Sequence, residues 1–429
     1  MPSAALVAYG VPLAFAWTMY VAKRQRVETE SEAKRAEARE AGLVEPPTLH
    51  PKIDPALCMG CATCVRACPE GDILGVIDGK AELVEPANCI GHGACKTACP
   101  ANAITLVFGT QTRGVELPSV DPAFRTNVPG VYIAGELGGM GLVRNAVEQG
   151  RQAIESICGD ATPGDDAALD LVIVGCGPAG LAASLAAKEK ALRFVTLEQE
   201  KLGGAVAHYP RGKLVMTAPF TLPLIGSYNY HELSKEELIS IFEAAASKVR
   251  LPIKEGERVA QVSKSGDAFE VRTQKDAYRA RAVLLALGRQ GTPRKLGAPG
   301  EELSKVIYRL VDSQQYRGRR ALVIGGGDSA LEAACALAAE PGAQVTLSYR
   351  GDAFNRAKPA NRKRLTASSC RTLLLSSVEK IESQSVTLRV GGVTASVAND
   401  VVIICAGGQM PTAFLRDIGV EIETKYGVP

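Results

Sequence analysis

The sequence predicts an α/β fold in which two parallel sheets follow a small cysteine-rich α+β domain and an apolar N-terminal helix. Three observations predict it. Two buried-strand patterns each run into a glycine-rich loop and a helix, seven of the twelve cysteines fall between positions 58 and 99, and residues 2–22 carry no charged side chain. The 429 residues suffice for three domains of about 150 residues each.

The composition is that of a globular protein, with 46% hydrophobic and 22% charged residues. The net charge of +3, from 49 basic and 46 acidic residues, provides no general field to attract nucleic acid, so we expect no nucleic-acid partner. A disulfide scaffold would spread its cysteines through a small secreted domain. The clustered cysteines therefore favour a metal site.

Residues 2–22 predict a transmembrane anchor. At about 1.5 Å per residue, a helix of this length reaches roughly 30 Å, one hydrocarbon thickness. Trp17 and Tyr20 lie near its end and three basic residues follow, which predicts a single-pass protein of the cytoplasmic membrane with its C-terminal bulk in the cytoplasm. A cleaved signal peptide is the alternative, although no positive side chain precedes the apolar run. Residues 27–52 predict a polar, solvated helical stalk.

Eight residues repeat one ligand spacing twice. Both runs read ligand-x2-ligand-x2-ligand-x3-ligand followed by proline, with histidine in the second slot of the second run. The first run is Cys58, Cys61, Cys64 and Cys68, and the second is Cys89, His92, Cys95 and Cys99. Cysteines at this spacing are typical of iron–sulfur sites. Asp78-Gly79, between the runs, predicts a hairpin turn.

Residues 53–108 therefore resemble a bacterial-type ferredoxin with two [4Fe–4S] clusters. The resemblance implies that the fourth cysteine of each run binds the other cluster. The implied ligand sets are Cys58, Cys61, Cys64 and Cys99 for one cluster, and Cys68, Cys89, His92 and Cys95 for the other. A neutral imidazole in place of a thiolate should raise the potential of the second cluster. His92 as a bystander of a three-iron cluster, and zinc at the second site, stay open.

A first dinucleotide-binding unit begins with the apolar strand 169–174. It runs into the G-x-G-x-x-G loop of Gly175, Gly177 and Gly180 and then into a helix, the context that this fingerprint requires. These glycines permit the turn, the approach of pyrophosphate and the packing of helix on strand, respectively. The next strand ends at Glu198, where a carboxylate can accept the adenosine ribose hydroxyls.

A second unit follows the same plan after the strand 321–324. Its following strand ends without an acidic residue, and Arg350 and Arg356 come next. A missing carboxylate beside guanidinium groups favours the 2′-phosphate of NADPH over NADH. The alternative is that these arginines only solvate a loop. The candidate NADPH residues are Gly325, Gly327, Ser329, Ala330, Arg350 and Arg356.

With the strand–glycine segments 282–288 and 401–408, the two units resemble the thioredoxin-reductase-type flavoproteins of the pyridine nucleotide-disulfide oxidoreductase family. The resemblance covers about residues 110–429 and implies FAD on the first unit and NADPH on the second. Gly203 and Gly204 match the segment that approaches the isoalloxazine ring. His208 and Tyr209 are weak candidates for catalytic residues, with packing in the FAD domain as the alternative.

The last FAD motif of the family matches residues 121–157, ahead of the first fingerprint, instead of the end of the chain. The implied FAD residues there are Gly135, Glu136, Asn145 and Ala146, with Glu136 at the flavin ribityl chain. This order predicts a circular permutation through the linker 158–166. An unrelated strand–helix unit, and the same segment acting in trans within a homodimer, stay open.

The C-x-x-C pair of thioredoxin reductases is absent, since residues 291–334 contain no cysteine. Ferredoxin–NADP reductases of this type and bacillithiol-disulfide reductase also lack it. The features predict a membrane-anchored NAD(P)H-dependent oxidoreductase that passes electrons between NAD(P)H, FAD and two [4Fe–4S] clusters, to or from an external redox protein or small acceptor. The alternatives are a low-molecular-weight disulfide reductase and a non-turnover redox sensor or relay subunit.

The predicted boundaries follow from these motifs. They are residues 1–26 for the anchor, 27–52 for the stalk, 53–108 for the ferredoxin-like domain, 109–290 with 406–429 for the FAD domain, and 291–405 for the NAD(P)H domain.

Overall fold

The computed structural model describes residues 2–40, 42–46, 49–139, 141–160, 168–216, 218–230, 232–289, 292–354 and 357–428. They belong to two compact units. The smaller unit comprises Met1–Val115 and Lys425–Pro429, and the larger unit comprises Glu116–Thr424.

The helices of the described residues follow the predicted alternation with strands in the larger unit. They span Pro2–Glu40, Thr63–Ala67, Ala94–Thr97, Val143–Asp160, Pro178–Glu189, Lys235–Lys248, Asp328–Ala338, Pro359–Thr366 and Thr412–Ile418. Short 3-10 turns span Pro86–Asn88, Glu136–Gly138, Gly204–His208 and Ser313–Tyr316.

The smaller unit contains two antiparallel strand pairs. They are His50–Ile53 with Ile104–Val107, and Leu74–Ile77 with Lys80–Leu83. Asp78 and Gly79 join the second pair, and both have positive φ angles, of 50° and 70°. Positive φ at both central residues is the geometry of the two-residue turns that suit a hairpin, so the predicted turn is confirmed.

The helix Pro2–Glu40 includes the predicted helical stalk, most of whose residues are exposed, but one side of its C-terminal half packs on this hairpin, so the stalk is not solvated all round. Ser31 is buried, and a Cβ atom on Gly75 would meet its hydroxyl oxygen at 2.6 Å. Lys34 Nζ lies 2.6 Å from Asp72 Oδ2. The reason is the absent side chain of Gly75, which lets a polar helix face approach the hairpin closely enough to bury small residues.

The transmembrane anchor that the sequence predicts is not supported. In the part of the chain that the structure describes, no helix combines the length and the apolar character that crossing a bilayer requires. Residues 2–22 are uncharged, but only six of the 21 are Leu, Ile, Val or Phe, the residues that insert most favourably. The cellular location of the protein stays a prediction.

A seven-stranded sheet forms the first part of the larger unit. Its order is Ile253–Glu255, Phe194–Glu198, Leu169–Val174, Ala277–Leu285, Ala268–Thr273 and Val259–Ser265, with Val131–Ile133 also paired to Ala277–Leu285. The strand Leu169–Val174 lies in the middle of this sheet, and its side chains are buried on both faces. Leu171 and Ile173 pack into the core on one face of the sheet, and Val172 and Val174 pack into the core on the other. A strand covered on both faces reads as a continuous apolar run.

A five-stranded parallel sheet forms the second part. Its order is Val306–Ile307, Val401–Ile404, Arg320–Ile324, Gln344–Ser348 and Arg371–Leu373. The strands Ser376–Ile381, Ser385–Val390 and Val393–Ala398 form an antiparallel sheet after it. The remaining strands are Val115–Pro118, Leu214–Met216, Phe220–Leu222, Gly226–Tyr228, Glu232–Ser234, Thr292–Pro293, Gly408–Gln409 and Ile422–Lys425. The predicted α/β class is confirmed.

Candidate functional site

Two cavities in the smaller unit are lined by the residues of the two cysteine runs. The lining of the first cavity includes the thiols of Cys58, Cys61, Cys64 and Cys99. The lining of the second includes Cys68, Cys89, His92 and Cys95. The structure thus brings together the same two sets that the ferredoxin resemblance implies. Their binding of clusters stays a prediction.

Matching glycines shape the backbone around each cavity. Gly60 and Gly91 each precede the second slot of a run. A Cβ atom on Gly60 would overlap the carbonyl oxygen of Gly79, and one on Gly91 would lie 2.5 Å from the carbonyl oxygen of Leu49. Each run can therefore wrap its cavity only because these positions carry no side chain. The glycine directly before the second slot of each run was therefore a second repeated signal in the sequence, in addition to the ligand spacing.

The chemistry of the lining fits iron–sulfur clusters. The donors are soft thiols, and apolar side chains such as Ile53 and Leu106 complete the walls. Burial raises the pKa of the Cys64 and Cys95 thiols to about 11, so each gives up its proton readily only when a cation is bound there. Among the described residues, no three His, Cys, Asp or Glu side chains are placed around a single metal ion.

His92 lies between a backbone donor and a thiol. Its Nδ1 accepts the N–H of Ala94 at 3.1 Å, and its Nε2 lies 3.7 Å from Cys68 Sγ. Burial lowers the pKa of His92, because the charged form loses its hydration.

The first fingerprint of the larger unit has the close contacts that its glycines predict. Gly175 has a φ of 98°, and a Cβ atom there would meet the carbonyl oxygen of Ala286 at 2.5 Å. A Cβ atom on Gly180 would overlap the carbonyl oxygen of Gly175, whereas one on Gly177 would meet nothing closer than 3.9 Å. Gly177 is the N-cap residue that precedes the helix Pro178–Glu189, and its lack of a side chain leaves the free N–H groups of the first turn open to an anion.

Glu198 and the glycine pair after it lie against this loop. The buried Glu198 carboxylate accepts the N–H of Cys176 at 2.7 Å on one oxygen and the N–H of Glu200 at 3.0 Å on the other. Burial raises its pKa. The N–H of Gly203 donates to the carbonyl of Cys176, and a Cβ atom on Gly204 would lie 3.0 Å from Gly177 Cα.

The segment that precedes the fingerprint in the chain lies beside it in the fold. The strand Val131–Ile133 runs parallel to Val283–Leu285 in the same chain. The N–H of Gly135 donates to Gln149 Oε1 at 2.8 Å, and a Cβ atom on Gly135 would meet that of Ala179 at 2.9 Å. Gln149 was missed by the sequence analysis, because only the folded helix brings it to this loop.

The following helix carries Asn145, which is half-buried, and Ala146, which is buried. Burial raises the pKa of Glu136, and the charge of Arg289 opposes that rise. Burial also raises the pKa of Tyr209, and the charge of Glu136 adds to it. Tyr209 is therefore within electrostatic range of the segment that the family resemblance assigns to the flavin.

His208 faces other partners. Its Nε2 lies 2.8 Å from Glu200 Oε2, and Arg309 Nη1 lies 3.6 Å from the same oxygen. Burial is the main cause of its lowered pKa, and the charge of Arg309 contributes. The structure thus gives His208 a place in a polar cluster, whereas the ring of Tyr209 lies under Lys213 Nζ at 5.2 Å from the ring centroid.

The second fingerprint has the same architecture. A Cβ atom on Gly325 would overlap the carbonyl oxygen of Cys405 and lie 3.0 Å from the Cβ atom of Ala330, so loop, strand and helix are in close contact. A Cβ atom on Gly327 would meet nothing within 4 Å, at the start of the helix Asp328–Ala338. Ser329 is exposed on the first turn.

Aromatic rings cover part of this loop. A Cβ atom on Gly326 would overlap the ring of Tyr349, which stacks on Phe354 with 5.5 Å between ring centroids. Arg350 is exposed beside them, and Arg356 lies outside the described residues.

The short basic helix Pro359–Thr366 begins next to the second fingerprint, which the sequence analysis missed. Asn361 Nδ2 donates to Asp328 Oδ1 at 2.7 Å. Arg362 Nε is buried and has no hydrogen-bond acceptor among the described residues. The run of basic residues from Lys358 to Arg364 was the signal that could have indicated it.

Fold and sites together define a nucleotide-dependent flavoprotein oxidoreductase joined to a dicluster ferredoxin domain. The chain belongs to the pyridine nucleotide-disulphide oxidoreductase family, whose model matches residues 172–429. Residues 50–100 match the model of the 4Fe-4S dicluster domain. The family membership inferred from the motifs is confirmed.

Individual relatives cover the nucleotide-binding part. The chain is 30% identical over 265 residues to the ferredoxin–NADP reductase of Ignicoccus hospitalis, covering 60% of this chain and 83% of that protein. It is 26% identical over 269 residues to the bacilliredoxin reductase Bdr of Bacillus subtilis, covering 60% of this chain and 82% of that protein. Among solved structures, the bacillithiol disulfide reductase Bdr of Staphylococcus aureus has a TM-score of 0.52 at 25% identity, covering 59% of this chain and 81% of that one.

Proposed function

We propose that this protein passes electrons between NAD(P)H, FAD and two iron–sulfur clusters, to or from an external redox partner. The observation that carries the proposal is the presence of two nucleotide-binding folds and two thiol-lined cavities in one chain. NAD(P)H gives up two electrons together as hydride, and an iron–sulfur cluster carries one at a time. FAD, when bound, supplies the chemistry that connects the two kinds of transfer.

The FAD residues surround the first fingerprint. The open N–H groups at the start of Pro178–Glu189 would bind the pyrophosphate. The two hydrogen bonds to the Glu198 carboxylate fix its orientation and leave a lone pair on each oxygen for the ribose hydroxyls. The proposed FAD residues are Gly175, Gly177, Gly180, Glu198, Gly203, Gly204, Gly135, Glu136, Asn145 and Ala146.

NADPH is the nucleotide proposed for the second fingerprint. The strand Gln344–Ser348 ends at a serine where a carboxylate would bind a free ribose hydroxyl, and the buried Ser348 hydroxyl pairs with the hydroxyl of Ser376 at 2.7 Å. Arg350 is exposed next to it. These features support a site for an additional phosphate in place of a free ribose hydroxyl. The proposed residues are Gly325, Gly327, Ser329, Ala330, Arg350 and Arg356.

The test is anaerobic reduction of the purified, cofactor-loaded full chain. We expect NADPH to bleach the flavin absorbance, with NADH slower, and to reduce an added viologen dye or ferricyanide. Electron spin resonance then reports whether the clusters are reduced by the same addition. A bound flavin that neither nucleotide reduces would refute the proposal.

Two variants locate the steps. Gly327→Val places a side chain in the open space before the second helix and should abolish flavin reduction by NADPH while FAD stays bound. Cys64→Ser removes one thiol from the first cavity and should leave flavin reduction intact while changing the resonance of one cluster. Loss of flavin reduction in both variants would contradict the division of roles.

Reduction of a small disulfide is the second candidate, favoured by the similarity to the Bdr proteins. The fully buried Cys176 is the thiol at the first fingerprint, and burial raises its pKa, which disfavours a reactive thiolate. NADPH oxidation that starts only when bacillithiol disulfide or glutathione disulfide is added, without dye reduction, would replace the first proposal by this one.

A further inference from the structure

His92 occupies the slot in the second run that Cys61 occupies in the first. In the first run, the N–H of Thr63, two residues on, donates to the Cys61 thiol. In the second run, the N–H of Ala94, again two residues on, donates to His92 Nδ1. The backbone N–H that could donate to a ligating sulfur in this slot therefore donates to the Nδ1 atom of the His92 ring instead.

This hydrogen bond fixes the tautomer of the ring. A nitrogen that accepts an N–H bond carries no proton, so the proton of the neutral imidazole lies on Nε2. Nε2 is directed at Cys68 Sγ, 3.7 Å away. The ring thus presents an N–H donor to a sulfur of the second cavity.

The same geometry disfavours ligation of iron. A histidine that binds metal through Nε2 ordinarily donates its Nδ1–H to an acceptor, and here Nδ1 meets a donor instead. In addition, the terminal ligands of a four-iron cluster bind separate corners and point away from one another. A nitrogen this close to the Cys68 sulfur is not placed as a second terminal ligand beside it.

We propose that the second site holds its cluster through three thiolates, Cys68, Cys89 and Cys95, and that His92 donates a hydrogen bond from Nε2 to Cys68 Sγ. The proposal rests on the proposed function only in requiring an iron–sulfur cluster in this cavity. One corner of the cluster then has no protein ligand. Its iron is the one released on mild oxidation, which leaves a [3Fe–4S] cluster.

The experiment measures iron, sulfide and electron spin resonance on the full chain after anaerobic reconstitution with iron and sulfide. After a brief excess of ferricyanide, removed by desalting, we expect the native protein to lose one iron per chain and to show the resonance of an oxidised [3Fe–4S] cluster. His92→Ala and His92→Gln should do the same. His92→Cys supplies the missing thiolate and should retain that iron and lose the three-iron signal.

Cys61→Ala is the matched control, because it removes the ligand in the same slot of the first run and should add a second releasable iron. The proposal is overturned if the native protein keeps all its iron after oxidation and His92→Ala alone releases one. Protein that takes up no cluster in either cavity would instead refute the proposed function. Near-native circular dichroism of each variant separates loss of iron from loss of fold.

Discussion

Helix Val143–Asp160 meets the fingerprint helix Pro178–Glu189 at Gly150. A Cβ atom there would overlap the carbonyl oxygen of Ala179 and lie 2.9 Å from its carbonyl carbon. Both atoms belong to the backbone, so no side-chain rotation can relieve the overlap. The contact joins the segment that precedes the first fingerprint to the fingerprint itself, and we expect Gly150→Ala to separate the two helices.

The loss of stability caused by Gly150→Ala can be estimated by comparison with a matched variant, Gly159→Ala. Gly159 lies on the same helix, and a Cβ atom there would meet nothing within 4 Å. Both substitutions gain the higher helix propensity of alanine, about 1 kcal/mol, which cancels in the comparison. Overpacking costs about 1–3 kcal/mol. Gly150→Ala should therefore be less stable than Gly159→Ala by about 1–3 kcal/mol, or roughly 2–4 °C in melting temperature for each kcal/mol.

The assay is thermal unfolding of the FAD-loaded protein, followed by circular dichroism and by the fluorescence of released FAD. Gly150→Ala should lower both midpoints together, because the displaced helix follows the loop of Gly135 and Glu136. Midpoints of the two alanine variants that agree within experimental error would refute the reasoning. Loss of helix stability with unchanged FAD release would refute the proposed part of this segment in holding FAD.

Three further predictions concern single side chains. Arg362→Gln should raise the KM for NADPH about tenfold or more and leave the KM for NADH unchanged. The buried Nε has no acceptor among the described residues, a bound phosphate would supply one, and charged hydrogen bonds contribute about 1.5–3 kcal/mol. Lys363→Gln, exposed on the same helix, is the control, and equal effects of the two substitutions would contradict the prediction. The Lys213–Glu332 pair, at 3.1 Å and about one-third exposed, should show a coupling of no more than about 1 kcal/mol in a double-mutant cycle on unfolding, decreasing with salt; a larger, salt-independent value would contradict it. Hydrogen bonds from Arg125 and Tyr132 lower the pKa of the Asp160 carboxyl to about 2. Its contribution to stability is therefore present above the pKa of the unfolded state, near 4, and is lost as pH falls from about 4 to 2. Asp160→Asn should flatten the acid unfolding curve over that interval, and an unchanged slope would contradict this cause.

The elements that sequence reasoning identified are those whose constraints are local. The apolar run of Leu169–Val174, the glycines of the two fingerprints and the Asp78-Gly79 turn each depend on a few consecutive residues. The two cysteine runs also have a spacing that leaves little freedom. Their division between the two cavities came from the family resemblance, because the spacing within each run cannot state which sulfur crosses over.

The contacts that the sequence did not indicate join residues distant in the chain. Ser31 lies 44 positions from Gly75, and no periodicity in the polar helix indicated that it would be buried. His208 was a weak candidate beside the flavin, and the fold shows Glu200 and Arg309 as its neighbours, which no local pattern indicated. Its role stays a prediction. Arg362 lies in a run of basic residues that by itself indicates no site, and the hydrogen bond from Asn361 to Asp328 places its helix beside the nucleotide loop.

The place of Val131–Ile133 follows from pairing and not from chain order. Its three residues lie in register with Val283–Leu285, at the end of a strand whose earlier residues pair with Ala268–Thr273. The backbone N–H and C=O groups at that end of the strand need hydrogen-bond partners. Any extended segment of suitable length can provide them if the chain on either side of it is long enough to connect. The following helix packs on the fingerprint helix through Gly150, so strand and helix both lie beside the first fingerprint although they precede it in the chain. This placement is what a permuted flavin domain requires, and the permutation itself stays a prediction.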